Sequence, residues 1–137
     1  MTVEYDLVVI GGGSAGLVAA SAGAQLNARI ALVEKHLLGG DCLHYGCVPS
    51  KSLIHAGQVA HHVRTGSQFG IYTSTPTIKF EEAINHVQTV VGTIQEHDST
   101  ERFEALGVDV FYGSGQFTDA KTFEINGRQL KGRNFLI

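Results

Sequence analysis

An apolar run that ends on glycines and opens into an alanine-rich stretch, YDLVVIGGGSAGLVAASAGAQL over residues 5–26, constrains this chain more than any other feature. A short apolar run bounded by glycine has the pattern of a strand buried on both faces, which places a first strand over 5–10. The alanine-rich stretch predicts a helix over 14–26, and RIALVE predicts a second strand over 29–34. A strand, a helix and a strand in that order form a crossover unit whose two strands lie parallel in one sheet. The expected class is therefore α/β.

Within that unit Gly11, Gly13 and Gly16 stand in GxGxxG spacing at the strand-to-helix turn, and Glu34 closes the second strand eighteen residues after Gly16. This is a Rossmann-like dinucleotide fingerprint: one glycine for the tight turn, one for close approach of a pyrophosphate, one for helix packing, and an acid for ribose hydroxyls. The helix start at Ser14, Ala15 and Gly16 adds unpaired N–H groups and the positive end of a dipole. The competing reading is that the glycines only pack a helix on a sheet. The fingerprint leaves NAD and FAD equally open.

At 137 residues the chain suffices for one domain. A formal charge of -3 with scattered basic residues gives no field for nucleic acid, so that class is set aside. Residues 7–26 carry no charge, but Glu4 and Asp6 precede them and three consecutive glycines interrupt them, which argues against a secretory leader or membrane helix. A cytoplasmic location follows as the expectation. Two cysteines in such a chain point to redox or metal chemistry.

The remaining pattern predicts helices over 50–64, stopped by Gly66, and over 78–97, followed by a short helix capped by an Asp98/Glu101 pair and ending at Gly107. Short strands are expected over 108–112, 116–117, 122–125 and 128–130, with Asn126-Gly127 as a hairpin turn and NFLI as a last strand. These form a small antiparallel β-meander near the C-terminus, beside the parallel sheet.

Both cysteines fall in GGDCLHYGCVPSK, residues 39–51. On one regular helix Cys42 and Cys47 would stand about 7.5 Å apart along the axis and face different sides. A disulfide needs Cα atoms within roughly 7 Å, so the pair closes only if the backbone breaks, which Gly46 permits. Cys47 would then start a helix running through Lys51, and a helix N-terminus with a nearby ammonium favours its thiolate. Inert buried thiols, or a metal site of Cys42, His44 and Cys47, are the competing readings. The seven histidines otherwise read as packing or surface residues, and none is nominated as a base.

Together GGGSAG, the acid ending the second strand and GGDCLHYGCVPSK resemble the FAD-binding N-terminal part of the class I pyridine nucleotide-disulfide oxidoreductases. That family includes mercuric reductase, dihydrolipoamide dehydrogenase and glutathione reductase. The resemblance covers essentially the whole chain, YGSGQF included, and the VPSK ending is closest to the mercuric reductase and dihydrolipoamide dehydrogenase branches. It implies FAD with its pyrophosphate at Gly11, Gly13, Ser14, Ala15 and Gly16, and its adenosine ribose on Glu34 beside Lys35. It further implies Gly40, Asp41 and Cys42 along the cofactor, Gly115 at the adenine and Lys51 near the reactive flavin nitrogen. Cys47 would be the thiol facing the flavin, and Cys42 the interchange thiol that meets a disulfide or Hg(II), with both sulfurs as transient mercury ligands and no resident metal.

The family usually carries threonine where Asp41 stands, so a carboxylate there must turn away from the phosphates or be hydrogen-bonded. Relatives continue into segments that complete the FAD site, bind NAD(P)H and form a homodimer. The resemblance therefore implies an incomplete FAD-binding domain over 1–137, an N-terminal fragment of a longer reductase that does not complete turnover alone. The alternative from another class is a non-catalytic dinucleotide-binding or thiol metal-binding module.

Overall fold

The computed structural model describes residues 4–137. The chain divides into two compact units, one made of Met1–Gly40 with Gln95–Ile137 and the other of Asp41–Ile94.

In the first unit, strand β1 (Glu4–Ile10), helix α1 (Ser14–Gln25) and strand β2 (Ile30–Glu34) form the expected crossover, with β1 and β2 parallel and Leu7 opposite Ile30. Helix α1 ends where Asn27 takes a left-handed backbone (φ 59). The Ala28 and Asn27 N–H groups then bond to the Gly23 and Ala24 carbonyls at 3.0 and 2.9 Å, which satisfies carbonyls the helix would otherwise orphan. Every residue of β2 is buried. Alternate side chains serve opposite faces: Ile30 and Leu32 join Val9, Leu17 and Phe103 on one side, while Ala31 and Val33 join Val8, Phe123 and Ile125 on the other. Each fully buried Leu or Ile contributes about 1.5–3 kcal/mol, and these two faces are the core of the unit.

Helix α5 (Thr100–Ala105) leads through Gly107 into β3 (Asp109–Tyr112), which lies parallel to β2. Its cap is Ser99, whose hydroxyl accepts the Arg102 N–H at 3.4 Å, rather than the expected Asp98/Glu101 pair. The three strands β4 (Gly115–Asp119), β5 (Thr122–Ile125) and β6 (Arg128–Leu136) pair antiparallel in sequence order. Asn126 and Gly127, both left-handed, make the two-residue hairpin turn expected of them.

The C-terminal strands differ from expectation in one respect. The segment 128–130 and NFLI are one strand, because β6 pairs antiparallel with β5 through Lys131 and parallel with β1 from Lys131 onward. The meander is thus continuous with the parallel sheet, in the order β3-β2-β1-β6-β5-β4. Strands β3 and β4 are its two outer edges, yet only Gly113 and Ser114 lie between them in the chain. Six strands laid flat would hold their edges about 24 Å apart, whereas Tyr112 to Gly115 reaches at most about 11 Å. The sheet must fold over on itself, and the side chains of Val8, Val33, Phe123 and Ile125 fill the fold.

In the second unit, α2 (Gly40–His44) runs on from the first, and α3 (Cys47–Thr65) and α4 (Phe80–His97) are its long helices. As expected, α3 ends at Thr65 with Gly66 as its C-cap. Gly66 keeps right-handed angles, and the chain tightens into a 3₁₀ turn over Gly66–Phe69 that ends at Gly70, φ 77. The left-handed glycine ends that 3₁₀ turn. No described helix is long and apolar enough to cross a membrane.

Candidate functional site: a glycine loop and a cysteine pair

The glycine loop sits at the carboxyl end of β1, where open α/β sheets take their ligands. Gly11 has φ +111, a backbone that side chains rarely adopt, and its N–H bonds to the Val33 carbonyl at 2.8 Å. A Cβ on Gly16 would collide with the Gly11 carbonyl oxygen, so the third glycine lets α1 rest against the loop. Helix α1 has no side-chain cap at Gly13 and no acid in its first turn. Its leading N–H groups at Ser14, Ala15 and Gly16 are free to meet an anion.

Glu34 is buried at the end of β2, and both carboxylate oxygens accept backbone N–H groups: Oε2 from Gly12 and Oε1 from His36, each at 2.7 Å. Its main-chain carbonyl accepts from Gly113 at 2.9 Å. The acid expected at a ribose therefore also braces the loop, and further lone pairs remain for hydroxyl donors. The next segment packs on the same loop. Gly39 donates to the Gly12 carbonyl at 2.8 Å, and a Cβ on Gly40 would stand 2.7 Å from the Gly13 Cα. Sequence reasoning missed Gly12 and Gly39. The available signal was a glycine at 12 where the fingerprint demands none.

Two clefts adjoin at this edge. One of about 290 Å³ is lined by Gly11, Gly13, Ser14, Ala15 and Gly16. The other, of about 450 Å³, is lined by Glu34, Lys35, Gly113, Ser114, Gly115 and Phe117 among others. Ile10, Gly11 and Ile137 line both. A cradle of backbone N–H groups beside a larger, partly apolar cleft fits a dinucleotide. Of the residues expected there, this brings together Gly11, Gly13, Ser14, Ala15, Gly16, Glu34, Lys35 and Gly115.

Asp41, Cys42, Cys47 and Lys51 lie in the second unit. The helix breaks at Tyr45 and Gly46, so α2 carries Cys42 and α3 begins with Cys47. Gly46 permits the break by close approach rather than by a left-handed backbone: a Cβ would meet the Asp41 carbonyl oxygen at 3.0 Å and the Cys42 Cα at 3.3 Å. Pro49 sits in the first turn of α3, where its missing N–H costs nothing. Asp41 is exposed, and its carbonyl accepts the Tyr45 N–H at 2.9 Å. Lys51 is exposed one turn beyond Cys47 on α3.

The two cysteines are reduced and not joined by a disulfide, Cys42 half-buried and Cys47 exposed. Their side chains are hydrogen-bonded, and this contact pushes the Cys47 thiol above its ordinary range, with some desolvation added and the Lys51 ammonium pulling the other way. The expectation that Cys47 is a ready thiolate is corrected for the reduced pair. The neighbouring Cys42 thiol raises Cys47 by more than the Lys51 ammonium lowers it. Among the described residues no three His, Cys, Asp or Glu side chains gather as a metal site.

The family model described as pyridine nucleotide-disulphide oxidoreductase matches residues 5–137. The chain is 30% identical to a mercuric reductase of Bacillus cereus over 98% of this chain and 21% of that protein. It is 38% identical to a dihydrolipoyl dehydrogenase of Bacillus subtilis over 90% of this chain and 26% of that one. The fold is similar to that of the HOCl-induced flavoprotein disulfide reductase RclA from Escherichia coli, solved as a Cu(II) complex. There the TM-score is 0.75 at 23% identity, over 98% of this chain and 28% of that one. The chain spans about a quarter of the length of the relatives it matches. With a family model matched from the first strand to the last residue, the chain belongs to the pyridine nucleotide-disulphide oxidoreductases.

Proposed function

We propose that this chain is the FAD-binding and redox-disulfide portion of a longer NAD(P)H-dependent flavoprotein oxidoreductase of the mercuric reductase or dihydrolipoamide dehydrogenase kind. The observation that carries the reading is the cysteine pair held across the α2–α3 break, on the segment that continues directly from the glycines packed on the dinucleotide loop. FAD would supply two-electron transfer between a reduced nicotinamide and the cysteine pair. The N–H groups of Ser14, Ala15 and Gly16 would hold its pyrophosphate, and Glu34, Lys35 and Gly115 its adenosine. By family resemblance Gly40 and Asp41 lie along the cofactor and Lys51 beside the flavin.

Two electrons and two protons open the Cys42–Cys47 disulfide to a pair of thiols. By the same resemblance Cys42 acts as the nucleophile: its thiolate attacks a substrate disulfide, forms a mixed disulfide and releases one substrate thiolate. Cys47, losing its proton beside Lys51, then attacks the Cys42 sulfur, restores the disulfide and expels the second thiolate. Hg(II) is the other substrate this pair suits, since two soft thiolates bind it well. The reducing cytoplasm, where such a pair stays free of structural disulfides, is the compartment we assign.

The test is to incubate the purified chain with FAD, desalt it and record the visible spectrum. A retained flavin spectrum, displaced by excess ADP, supports the reading. A colourless protein that also fails to bind ADP contradicts it.

A further inference from the structure

The turn between β5 and β6 does more than reverse the chain. Asn126, the first residue of that turn, sends its amide Nδ2 across to the Tyr112 carbonyl at 2.8 Å, fourteen residues back in sequence. Its carboxamide also lies against Gly113, where a Cβ would stand 2.9 Å from both Oδ1 and Nδ2. On its other side Gly113 donates to the Glu34 carbonyl at 2.9 Å. Gly113 is thus held between the ribose-side acid and the hairpin turn, at φ +140, in the two-residue link that joins the sheet's outer strands. The residues that follow, Ser114 and Gly115, line the 450 Å³ cleft, whereas Asn126 does not.

We infer that Asn126 is a positioning residue for the adenosine half of the site, acting through the Tyr112–Gly115 link whose path it sets. The inference rests on the dinucleotide reading above and goes beyond it, because Asn126 lines neither cleft and belongs to none of the motifs that mark the cofactor. A turn needs only two residues that tolerate left-handed angles, and Gly-Gly serves as well as Asn-Gly. What the asparagine adds is the donor to Tyr112. Asn126→Gly keeps the turn and deletes the bond; Asn126→Asp keeps the side chain's size and sets a carboxylate against a carbonyl oxygen.

The experiment compares ADP and FAD affinity of the full chain and both variants by calorimetric titration. Thermal unfolding and amide hydrogen exchange over residues 112–117 are followed in parallel. The expected result is a roughly five- to tenfold loss of ADP affinity in Asn126→Gly, the scale of one hydrogen bond, and a larger loss in Asn126→Asp. The same factors should appear for FAD, with faster exchange confined to 112–117 and a melting temperature within about 3 °C of the parent. An Asn126→Gly chain that binds ADP as the parent does overturns the inference and leaves the dinucleotide reading intact. Affinity lost only with a general rise of exchange across the chain overturns it too. A parent chain that binds neither ADP nor FAD removes the dinucleotide reading and the inference with it.

Discussion

The Glu34 carboxylate accepts the Gly12 N–H at 2.7 Å, so the acid at the end of β2 and the middle of the glycine loop form one rigid corner. Replacing Glu34 by Gln retains an acceptor for one of the two N–H groups and sets an NH₂ against the other. With the group buried, this should cost about 1–3 kcal/mol. Thermal unfolding should show a fall of several degrees, and ADP titration a parallel loss of affinity. Unchanged melting would mean that the corner is not a stabilising element.

Gly16→Ala should be more damaging than its one added methyl suggests. The Cβ meets backbone, the Gly11 carbonyl, along with Val9 Cγ1 at 3.1 Å, and neither can swing aside as a flexible side chain would. Overpacking of this kind costs about 1–3 kcal/mol. The shift of α1 it forces should abolish ADP binding, measured by titration at a temperature where the variant is still folded.

The long helices of the second unit carry the opposite opportunity. Gly57 in α3 and Gly92 in α4 are exposed, helical and have no atom within 4 Å of an added Cβ. Alanine at either should stabilise its helix by about 0.5–1 kcal/mol. Urea unfolding monitored by far-UV circular dichroism reads this directly as a higher midpoint at unchanged slope.

Tyr5 supplies a pH signature. Burial, then the hydrogen bond to Asp109 Oδ2 at 2.9 Å, pushes its hydroxyl from 10.0 up to about 12. A group whose folded pKa lies above its unfolded value contributes stability that is complete below the unfolded pKa and lost as pH rises through the folded one. The first unit should therefore lose stability between pH 10 and 12. Tyr5→Phe, less stable at neutral pH by roughly 1 kcal/mol, should lack the Tyr5 share of that alkaline loss in pH-dependent melting curves.

The first crossover was legible because each of its signals is local. Apolar run, glycine turn and alanine-rich helix follow one another, and Asn126-Gly127 specifies its own turn. The features that escaped depend on partners distant in sequence. Gly12 and Gly39 matter because two loops touch, and Asn126 matters because a folded sheet brings Tyr112 to it. Strand β6 runs through what looked like two strands because different neighbours hold its two halves. At the cysteines the spacing exposed the need for a break at Gly46. It could not show that the adjoining thiol would outweigh Lys51 at Cys47.

The central claim, that Cys47 is the thiol beside the flavin and Cys42 the one that meets substrate, is tested most directly by one spectroscopic titration. The parent chain with retained FAD is reduced by two electrons, which its disulfide takes up, whereas the single-serine variants, having no disulfide, are kept with oxidised flavin; the long-wavelength thiolate-to-flavin absorbance of each is followed against pH. The account predicts that this absorbance grows with pH in the parent and appears at lower pH in Cys42→Ser, where the thiol that raises Cys47 is gone. It predicts none in Cys47→Ser. Absorbance that survives in Cys47→Ser, or vanishes in Cys42→Ser, would contradict it.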